Sequence, residues 1–364
     1  MSSYSYLFQR RKSKPVRCGD LTIGGGADVS IQTMAKTDTR DVKATVNEIQ
    51  EATSQGADIV RVAVVDEQAA QAIKAIKRQV SCPIVADIHF DYRLAISALE
   101  SGADKVRINP GNIGGKDKLL EVAKRAQSVG AAIRLGVNSG SLERDILEAY
   151  GSSCAEAMVE SARRHVSFLE ENNIEAAVIS LKSSSVKETI RAYSMMASHT
   201  DWPFHIGVTE TGPGYLGVAK SAAGIGTLLS LGLGDTVRVS LTGPASQEVV
   251  IAKTILQSLD LGSFGPDIIS CPTCGRTEVD IIHIAEAVAE GLKDIKTPIK
   301  VAIMGCPVNG PGEAREADIG VACAREGGIL FSYGKPIGRV STNEIVDTLL
   351  KLASIYPNFP EGAN

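Results

Sequence analysis

Short apolar runs rich in β-branched residues alternate with longer amphipathic stretches over most of the chain. The runs predict eight strands, at residues 29–34, 59–65, 84–88, 105–109, 131–137, 176–181, 204–208 and 236–241. The stretches between them predict helices, among them residues 42–55, 67–78, 93–101, 118–128 and 155–172. Gly-Ala-Asp occurs at both 56–58 and 102–104, each time closing a helix with glycine and opening a strand. Such repeated units predict an α/β fold, a TIM (β/α)8 barrel, with a doubly wound parallel sheet as the alternative.

The pattern changes after residue 261. Residues 262–267 resemble a linker, and the remainder predicts strands at 267–270 and 299–303 and helices at 281–292 and 343–355. We therefore expect two domains, a substrate-binding TIM barrel over residues 1–262 and a small α/β domain over residues 263–364.

Charged and polar residues interrupt the predicted strands with a period of two. Their positions are Arg61, Asp87, His89, Arg107, Asn109, Arg134, Asn138, Lys182, Arg238 and Ser240. The outer face of a barrel strand packs against helices and must be apolar, so these side chains should point into the lumen, near its C-terminal mouth.

Five of these residues are cations, and cations in a restricted space need negative charge nearby. Asp87 and Glu210 supply only part of it. A small molecule that carries phosphate would supply the rest, held bidentately by the arginines. The alternative is that each cation is a surface residue or belongs to a structural ion pair. His89 and His205, near strand ends, are candidates for proton transfer.

Three thiols and a carboxylate lie on turn-rich segments of the C-terminal part. Cys271 and Cys274 form a CxxC pair, and Cys306 and Glu313 flank a loop rich in glycine and proline. This donor set could hold an iron–sulfur cluster or zinc, or it could bind no metal. A second CxxC or a histidine pair, which would complete a typical zinc site, does not follow Cys274 in the sequence. The other four cysteines have no ligand spacing and are interpreted as packing residues.

Composition narrows the function classes. The 364 residues are 44% hydrophobic and 22% charged, which is typical of a globular protein with a large core. A net charge of −4 argues against a nucleic-acid partner. Seven cysteines without an apolar secretory segment, and a basic start without a following hydrophobic stretch, predict a cytoplasmic protein without a membrane anchor.

Five motifs together resemble the bacterial 4-hydroxy-3-methylbut-2-enyl diphosphate synthases of the non-mevalonate isoprenoid pathway. They are VADIHFDYR at 85–93, RINPGNIG at 107–114, GVNSGSL at 136–142, CPTC at 271–274 and VNGPGEA at 308–314. The resemblance covers nearly the whole chain. It implies a TIM barrel joined to a 4Fe-4S domain, and a homodimer in which the cluster domain of one subunit caps the barrel of the other.

The resemblance also implies residue roles. The cluster ligands correspond to Cys271, Cys274, Cys306 and Glu313, and substrate-binding positions correspond to the polar lumen residues named above. Glu313, Glu210, His89 and Asp87 are the candidate catalytic residues. The implied reaction reductively opens 2-C-methyl-D-erythritol 2,4-cyclodiphosphate and expels water, with flavodoxin or ferredoxin as electron donor. Because a carboxylate is a harder ligand than a thiolate, we expect substrate oxygen to replace Glu313 at iron, and Glu210 to donate a proton.

Two other classes stay open on the residues alone. A zinc-stabilised barrel could act as a non-redox lyase or transferase on a phosphorylated small molecule. An iron–sulfur sensor without enzymatic activity would carry the cluster but would have little use for a cationic lumen.

Overall fold

A parallel sheet closes on itself in the first of the two units into which the chain divides, Met1–Gly262 and Ser263–Asn364. The computed structural model describes residues 9–306 and 310–356, and only the backbone of residues 310 and 311. The first unit begins with an antiparallel hairpin of two short strands, β1 (Val16–Cys18) and β2 (Leu21–Ile23).

Eight parallel strands and nine helices follow among the described residues of this unit. In chain order they are β3 Ser30–Met34, α1 Val42–Ser54, β4 Ile59–Val64, α2 Glu67–Lys77, β5 Ile84–Ile88, α3 Tyr92–Glu100, β6 Lys105–Ile108, α4 Lys116–Ser128, β7 Ala132–Asn138, α5 Arg144–Tyr150, α6 Ala155–Glu171, β8 Ala177–Lys182, α7 Val186–Met196, β9 His205–Ile206, α8 Gly214–Ser230, β10 Thr236–Val237 and α9 Ala245–Gln257. Every predicted strand and helix is present, with ends shifted by a few residues.

The ring of strands is complete. Its order is β8-β7-β6-β5-β4-β3-β10-β9, and a parallel bridge from Ile179 in β8 to Phe204, just before β9, joins the two ends. A doubly wound sheet would leave two open edges, so ring closure confirms the TIM barrel. The β1–β2 hairpin packs in one apolar cluster with residues at the start of four barrel strands, Ile59, Val85, Ala132 and Val178. The hairpin therefore closes the N-terminal end of the barrel.

Aspartates fix the start of several units. The side chains of Asp41 and Asp66 cap α1 and α2. Asp58 and Asp104, the last residues of the two Gly-Ala-Asp repeats, each accept a hydrogen bond at 2.7 Å from a backbone N–H of the neighbouring strand, that of Ile31 or Ile84. The repeat is thus a structural device that ties the start of one strand to the next.

The second unit holds a five-stranded sheet in the order β11-β12-β13-β14-β15. Its elements are β11 Asp267–Ser270, α10 Ile281–Gly291, β12 Lys300–Met304, α11 Gly310–Arg315, β13 Ile319–Ala324, β14 Gly327–Ser332, β15 Lys335–Val340 and α12 Ile345–Ile355. The first three strands are parallel and the last two are antiparallel additions. Helices α10 and α12 share one apolar cluster with the sheet, and α11 lies in another. The sequence pattern predicted β11, β12, α10 and α12 but not β13 to β15.

Asp235 anchors the N-terminal segment to the barrel. This buried carboxylate accepts hydrogen bonds from Ser13 Oγ at 2.8 Å and Phe204 N at 2.8 Å. It also pairs with Arg10 at 3.4 Å and Arg11 at 3.8 Å. The group therefore fixes the chain before β1 against β9 and β10.

We expect Asp235→Asn to lower the free energy of unfolding by about 2–4 kcal/mol, because it leaves buried donors without a charged acceptor. Urea denaturation followed by circular dichroism measures the change. Asp20→Asn, the same change at an exposed turn residue, is the matched control and should stay within about 0.5 kcal/mol of the parent. Equal stabilities for the two variants would contradict the anchoring role.

Candidate active site

Cationic side chains from four barrel strands, and from the residue after β10, gather towards one end of the lumen. Arg61, Arg107, Arg134 and Lys182 are buried, and Arg238 is partly buried. They lie on β4, β6, β7, β8 and just beyond β10. Arg107 lies beside Arg134 in the strand register, and one carboxylate, that of Asp87, pairs with both Arg61 and Arg107, so these arginines are close together, as the period-two pattern predicted.

Asp87 on β5 balances part of this charge. Its strand register places it beside Arg107, which in turn lies beside Arg134 on β7. Its carboxylate is 3.2 Å from Arg107 Nη1, 3.9 Å from Arg61 Nε and 3.4 Å from His89 Nε2. Burial opposes ionisation of Asp87, but Arg61, His89 and the other arginines together hold its pKa well below the ordinary value. Asp87 is therefore an ionised partner of the arginines.

Several donors at this end of the lumen have no partner among the described residues. They are Arg107 Nε, Arg134 Nε and Nη1, Arg238 Nε and Ser240 Oγ. Buried polar groups are nearly always hydrogen-bonded in folded proteins, so a cluster of unpaired donors indicates a place for a ligand rich in acceptors. Burial, reinforced by Arg134 and Arg238, lowers the pKa of Lys182 well below its ordinary value. An anion would relieve this repulsion.

Two glycines, one in a strand and one directly after a strand, make room for the cationic residues. A Cβ atom on Gly136 of β7 would lie 2.5 Å from Arg107 Nε. A Cβ atom on Gly207, just after β9, would lie 2.4 Å from the carbonyl oxygen of Arg238 and 3.6 Å from Lys182 Nζ. Glycine inside a strand often marks such a close approach, and here it lets the cationic side chains cross the neighbouring strand.

Asparagines continue the site at the mouth of the barrel. Asn109 donates to Ser141 Oγ at 2.6 Å and accepts from Gly111 N at 3.2 Å, so it links the loops that follow β6 and β7. Asn138 ends β7 beside Lys182 in the strand register and is half-buried. Both predicted asparagines therefore lie at the carboxyl ends of barrel strands, where barrel enzymes keep their sites.

Candidate proton donors also lie in loops after the strands. His89 is 45% exposed, and its Nε2 is 3.0 Å from Arg107 Nη1. Glu210 is exposed, and its side chain makes no hydrogen bond or ion pair within the described part of the chain. Its φ is +53°, a conformation that few non-glycine residues adopt and that often occurs at functional sites. His205, in contrast, is fully buried, and its pKa is lowered well below the ordinary value by burial and by nearby cations. It is therefore neutral.

Sequence reasoning missed two charged residues beside the cations. Glu248 is buried in the first turn of α9 and pairs with Arg238 at 3.5 Å, and Lys36 lies 3.2 Å from the same carboxylate. Strand periodicity cannot reveal a helix residue. The available signal was a charge on the buried stripe of α9, which otherwise consists of Ala245, Val249, Ala252, Ile255 and Leu256.

Two thiols of the second unit lie at the same edge of its sheet. Cys271 follows β11 directly, and its N–H donates to Ile303 O of β12 at 3.0 Å. Cys306 comes two residues after β12. Because β11 and β12 are parallel neighbours, their carboxyl ends bring these two cysteines to the same edge. None of the seven cysteines, all within the described residues, forms a disulfide.

A tight turn presents the remaining thiol of the CxxC pair. Thr273 has a φ of +64°, and Cys274 N donates to Thr277 Oγ1 at 3.1 Å. Glu278 N donates to Gly305 O at 3.4 Å, which links this turn to the loop of Cys306. The three thiols therefore lie on connected turns, and Cys274 is exposed whereas Cys306 is buried.

Glu313 lies exposed in α11, beside Ala314, which packs in one apolar cluster with Met304 and Cys271. Residues 307–309 of the predicted loop lie outside the described residues. Within residues 9–306 and 310–356, no three Cys, His, Asp or Glu side chains converge closely enough to share a metal ion. The donor types, and the common edge of Cys271 and Cys306, fit a thiolate-bound metal centre.

Three of the other four cysteines are buried thiols, and the fourth, Cys154, is half-buried. Cys18, Cys82 and Cys323 are buried, and burial raises the pKa of each. Raised pKa values disfavour the thiolate that a metal needs.

The helices of the described part of the chain are each too short or too polar to span a membrane.

These features define a class, a TIM-barrel protein with a cationic lumen and an additional thiol-bearing α/β unit. The chain belongs to the GcpE family: the family model for the GcpE TIM-barrel domain matches residues 13–253, and the model for the GcpE protein C-terminal domain matches residues 267–354. The resemblance stated from the motifs is thereby confirmed.

Two bacterial proteins are similar to this chain over nearly their full length. The proteins from Anoxybacillus flavithermus and Bacillus subtilis are 50% and 51% identical over 347 residues, which is 95% of this chain and 95% and 92% of theirs. Both are named 4-hydroxy-3-methylbut-2-en-1-yl diphosphate synthase (flavodoxin). Among solved structures, the dihydropteroate synthase of Yersinia pestis aligns with a TM-score of 0.48 and 10% identity, covering 67% of this chain and 98% of its own.

Anion binding should take up a proton at Lys182. Its pKa is lowered in the free protein, and a bound phosphate group would raise it again, so between these two pKa values the site binds an anion and a proton together. Titration of inorganic pyrophosphate by calorimetry in buffers of different ionisation enthalpy measures the uptake. Affinity should fall as pH rises through this range, by up to about tenfold per unit.

Lys182→Met is the control for this experiment. It should bind pyrophosphate more weakly and show no proton uptake at this site, because the arginines stay charged. The same buffer dependence in the parent and in Lys182→Met would rule out Lys182 as the titrating group.

Proposed function

We propose that this chain catalyses the reductive ring opening and dehydration of 2-C-methyl-D-erythritol 2,4-cyclodiphosphate to 4-hydroxy-3-methylbut-2-enyl diphosphate. One ring carbon–oxygen bond breaks, a hydroxyl group leaves as water, and two electrons and two protons enter. The observation that carries the proposal is the cluster of unpaired cationic donors in the lumen. The name of relatives about half identical over 95% of the chain supports the same activity.

The barrel cations would hold the two phosphate groups. Arg61, Arg107, Arg134, Lys182 and Arg238 supply positive charge from several directions, and guanidinium groups grip phosphate oxygens bidentately. Asn109, Asn138 and Ser240 would bind the remaining polar atoms at the mouth. A rigid strand framework would thus fix the substrate before the reaction, which lowers the entropic cost of the transition state.

Cys271, Cys274, Cys306 and Glu313 would hold a 4Fe-4S cluster. Such a cluster supplies single electrons at low potential, which the ordinary side chains do not provide. Zinc, which has no redox chemistry, is disfavoured because the relatives' name includes flavodoxin, an electron carrier. We accordingly propose flavodoxin as the electron donor, and a cytoplasmic location, where thiols stay reduced.

Glu210 is our proposed proton donor. It lies exposed after β9 without a charged partner in the described chain, so its carboxyl group is free to contact a ligand at the mouth. His89 would assist by orienting Asp87 and Arg107, to which it is close. Asp87 would act by holding the arginines, because its lowered pKa keeps it ionised.

We also propose a homodimer that uses the outer face of α8 and α9. Lys220 is the one charged side chain of α8, and Leu216 on α8 and Val250 on α9 are 59% and 46% exposed. A groove of about 260 Å³ between the two helices is lined mainly by apolar residues, including Val218, Ala222 and Ile251. Exposed apolar patches of this kind mark protein interfaces.

Turnover under anaerobic conditions tests the activity. We expect protein purified without oxygen to be brown, to contain iron and sulfide, and to convert the cyclodiphosphate when reduced flavodoxin is added. Cys306→Ser should lose iron and visible absorption as well as activity, because a serine is a poor substitute for a thiolate ligand.

Arg107→Ala should keep the iron but weaken substrate binding, by about 100-fold. Colourless, iron-free protein that turns over the substrate would exclude the cluster.

Light scattering after size-exclusion chromatography tests the dimer. Relative to the 38.3 kDa chain, the parent should have twice the monomer mass, and Ala222→Glu should be monomeric because it places a charge in the apolar groove. Ala75→Glu, the same change at a half-buried position on α2, should stay dimeric. A monomeric parent, or a dimeric Ala222→Glu variant, would refute this interface.

A further inference from the structure

Two residues of the proposed substrate site lie beyond the last ladder pair of their strand. The strand β10 ends at Val237, whereas Arg238 and Ser240 follow it. Arg238 N still donates to Ile206 O at 3.0 Å, but no barrel strand pairs with Ser240 within the described residues. Contacts from outside the barrel wall must therefore fix this segment.

The carboxylate of Glu248 is the centre of those contacts. It is 1% exposed and receives donors from two separate segments of the chain, residues 33–36 and 238–241. The donors are Thr33 Oγ1 at 2.9 Å, Leu241 N at 3.1 Å, Lys36 Nζ at 3.2 Å and, as an ion pair, Arg238 Nη2 at 3.5 Å. A buried carboxylate with this many donors has a single well-defined position.

Lys36 extends the same network along the loop. Its ammonium donates to Leu241 O at 3.3 Å and also to Gly243 O. On the other side, Thr211 Oγ1 donates to Ser240 O at 2.7 Å. The backbone on both sides of Ser240 is thus held in place, while Ser240 Oγ and Arg238 Nε have no partner in the part of the chain that is described.

We propose that Glu248 is a positioning residue that fixes Arg238 and Ser240 for the diphosphate. Glu248 lies on a helix outside the barrel and contacts Arg238 through one end of the guanidinium group, which leaves Nε for the ligand. Its charge also keeps Lys36 on the loop. The inference rests on the proposed function, since it assumes that these two residues bind a phosphorylated substrate.

A double-mutant cycle on binding tests the proposal. The dissociation constant of the cyclodiphosphate is measured by calorimetry with cluster-loaded protein and no reductant, so that no turnover occurs. Glu248→Gln keeps the shape but removes the charge, and we expect binding about tenfold weaker. Arg238→Ala should weaken binding about 100-fold. In the Arg238→Ala background, Glu248→Gln should weaken binding by less than about a further threefold, because the two residues act as a unit.

Controls separate positioning from general stability. Thr33→Val removes a hydrogen-bond donor to Glu248 that does not contact the segment of Arg238 and Ser240. The affinity of this variant for the cyclodiphosphate should stay within about twofold of the parent. If Glu248→Gln does not fold, Lys36→Met replaces it in the cycle. Lys36 contacts the same loop, and its side chain is 37% exposed, so its replacement should disturb folding less. A parent protein that fails to bind the cyclodiphosphate would refute the proposed function. If the parent binds but the fold-changes in affinity caused by Glu248→Gln and Arg238→Ala multiply in the double variant, the positioning role of Glu248 is refuted and the proposed function stands.

Discussion

Mutual repulsion of cations in the barrel lumen is the constraint on which the candidate site depends. Arg61, Arg107, Arg134, Lys182 and Arg238 share a space where the effective dielectric is low, and within the described barrel Asp87 and Glu248 are the carboxylates seen to pair with them. Burial, together with these neighbouring cations, lowers the pKa of Lys182. A closed ring of parallel strands is a framework stiff enough to hold these charges together, and a multiply charged anion gains most where that repulsion is greatest.

The contacts that stabilise the barrel lie away from the cluster of cations. The N-terminal end of the barrel is closed by an apolar cluster under the β1–β2 hairpin, and Asp58, Asp104 and Asp235 tie successive strands and the N-terminal segment together. The cations lie towards the opposite end, where the loops begin. Apolar packing and backbone hydrogen bonds at one end therefore compensate for the electrostatic cost at the other, as is usual for functional sites in barrels.

Much of the barrel and its lumen could be predicted because period-two alternation has one physical cause. Arg107 and Arg134 stand out in buried strands, since every outward neighbour must be apolar. The same rule cannot find Glu248, which reaches the site from a helix, or Lys36, which follows a strand end. The sequence pattern also missed β13 to β15. For β14, which opens with two glycines, and β15, which is mostly exposed, the reason is a weak apolar alternation.

The two candidate centres differ in how their geometry is fixed. Most of the lumen donors stand on or next to barrel strands, held by hydrogen-bond ladders and by Asp87, so their arrangement exists without a ligand. The thiols stand on turns after β11 and β12, held by single bonds such as that from Cys274 N to Thr277. At thiolate sites, the free energy of metal binding commonly completes the local fold. A preformed cationic site binds its ligand more tightly because its side chains need little ordering on binding. The barrel is thus suited to select the substrate, and the turns are suited to close around a metal centre.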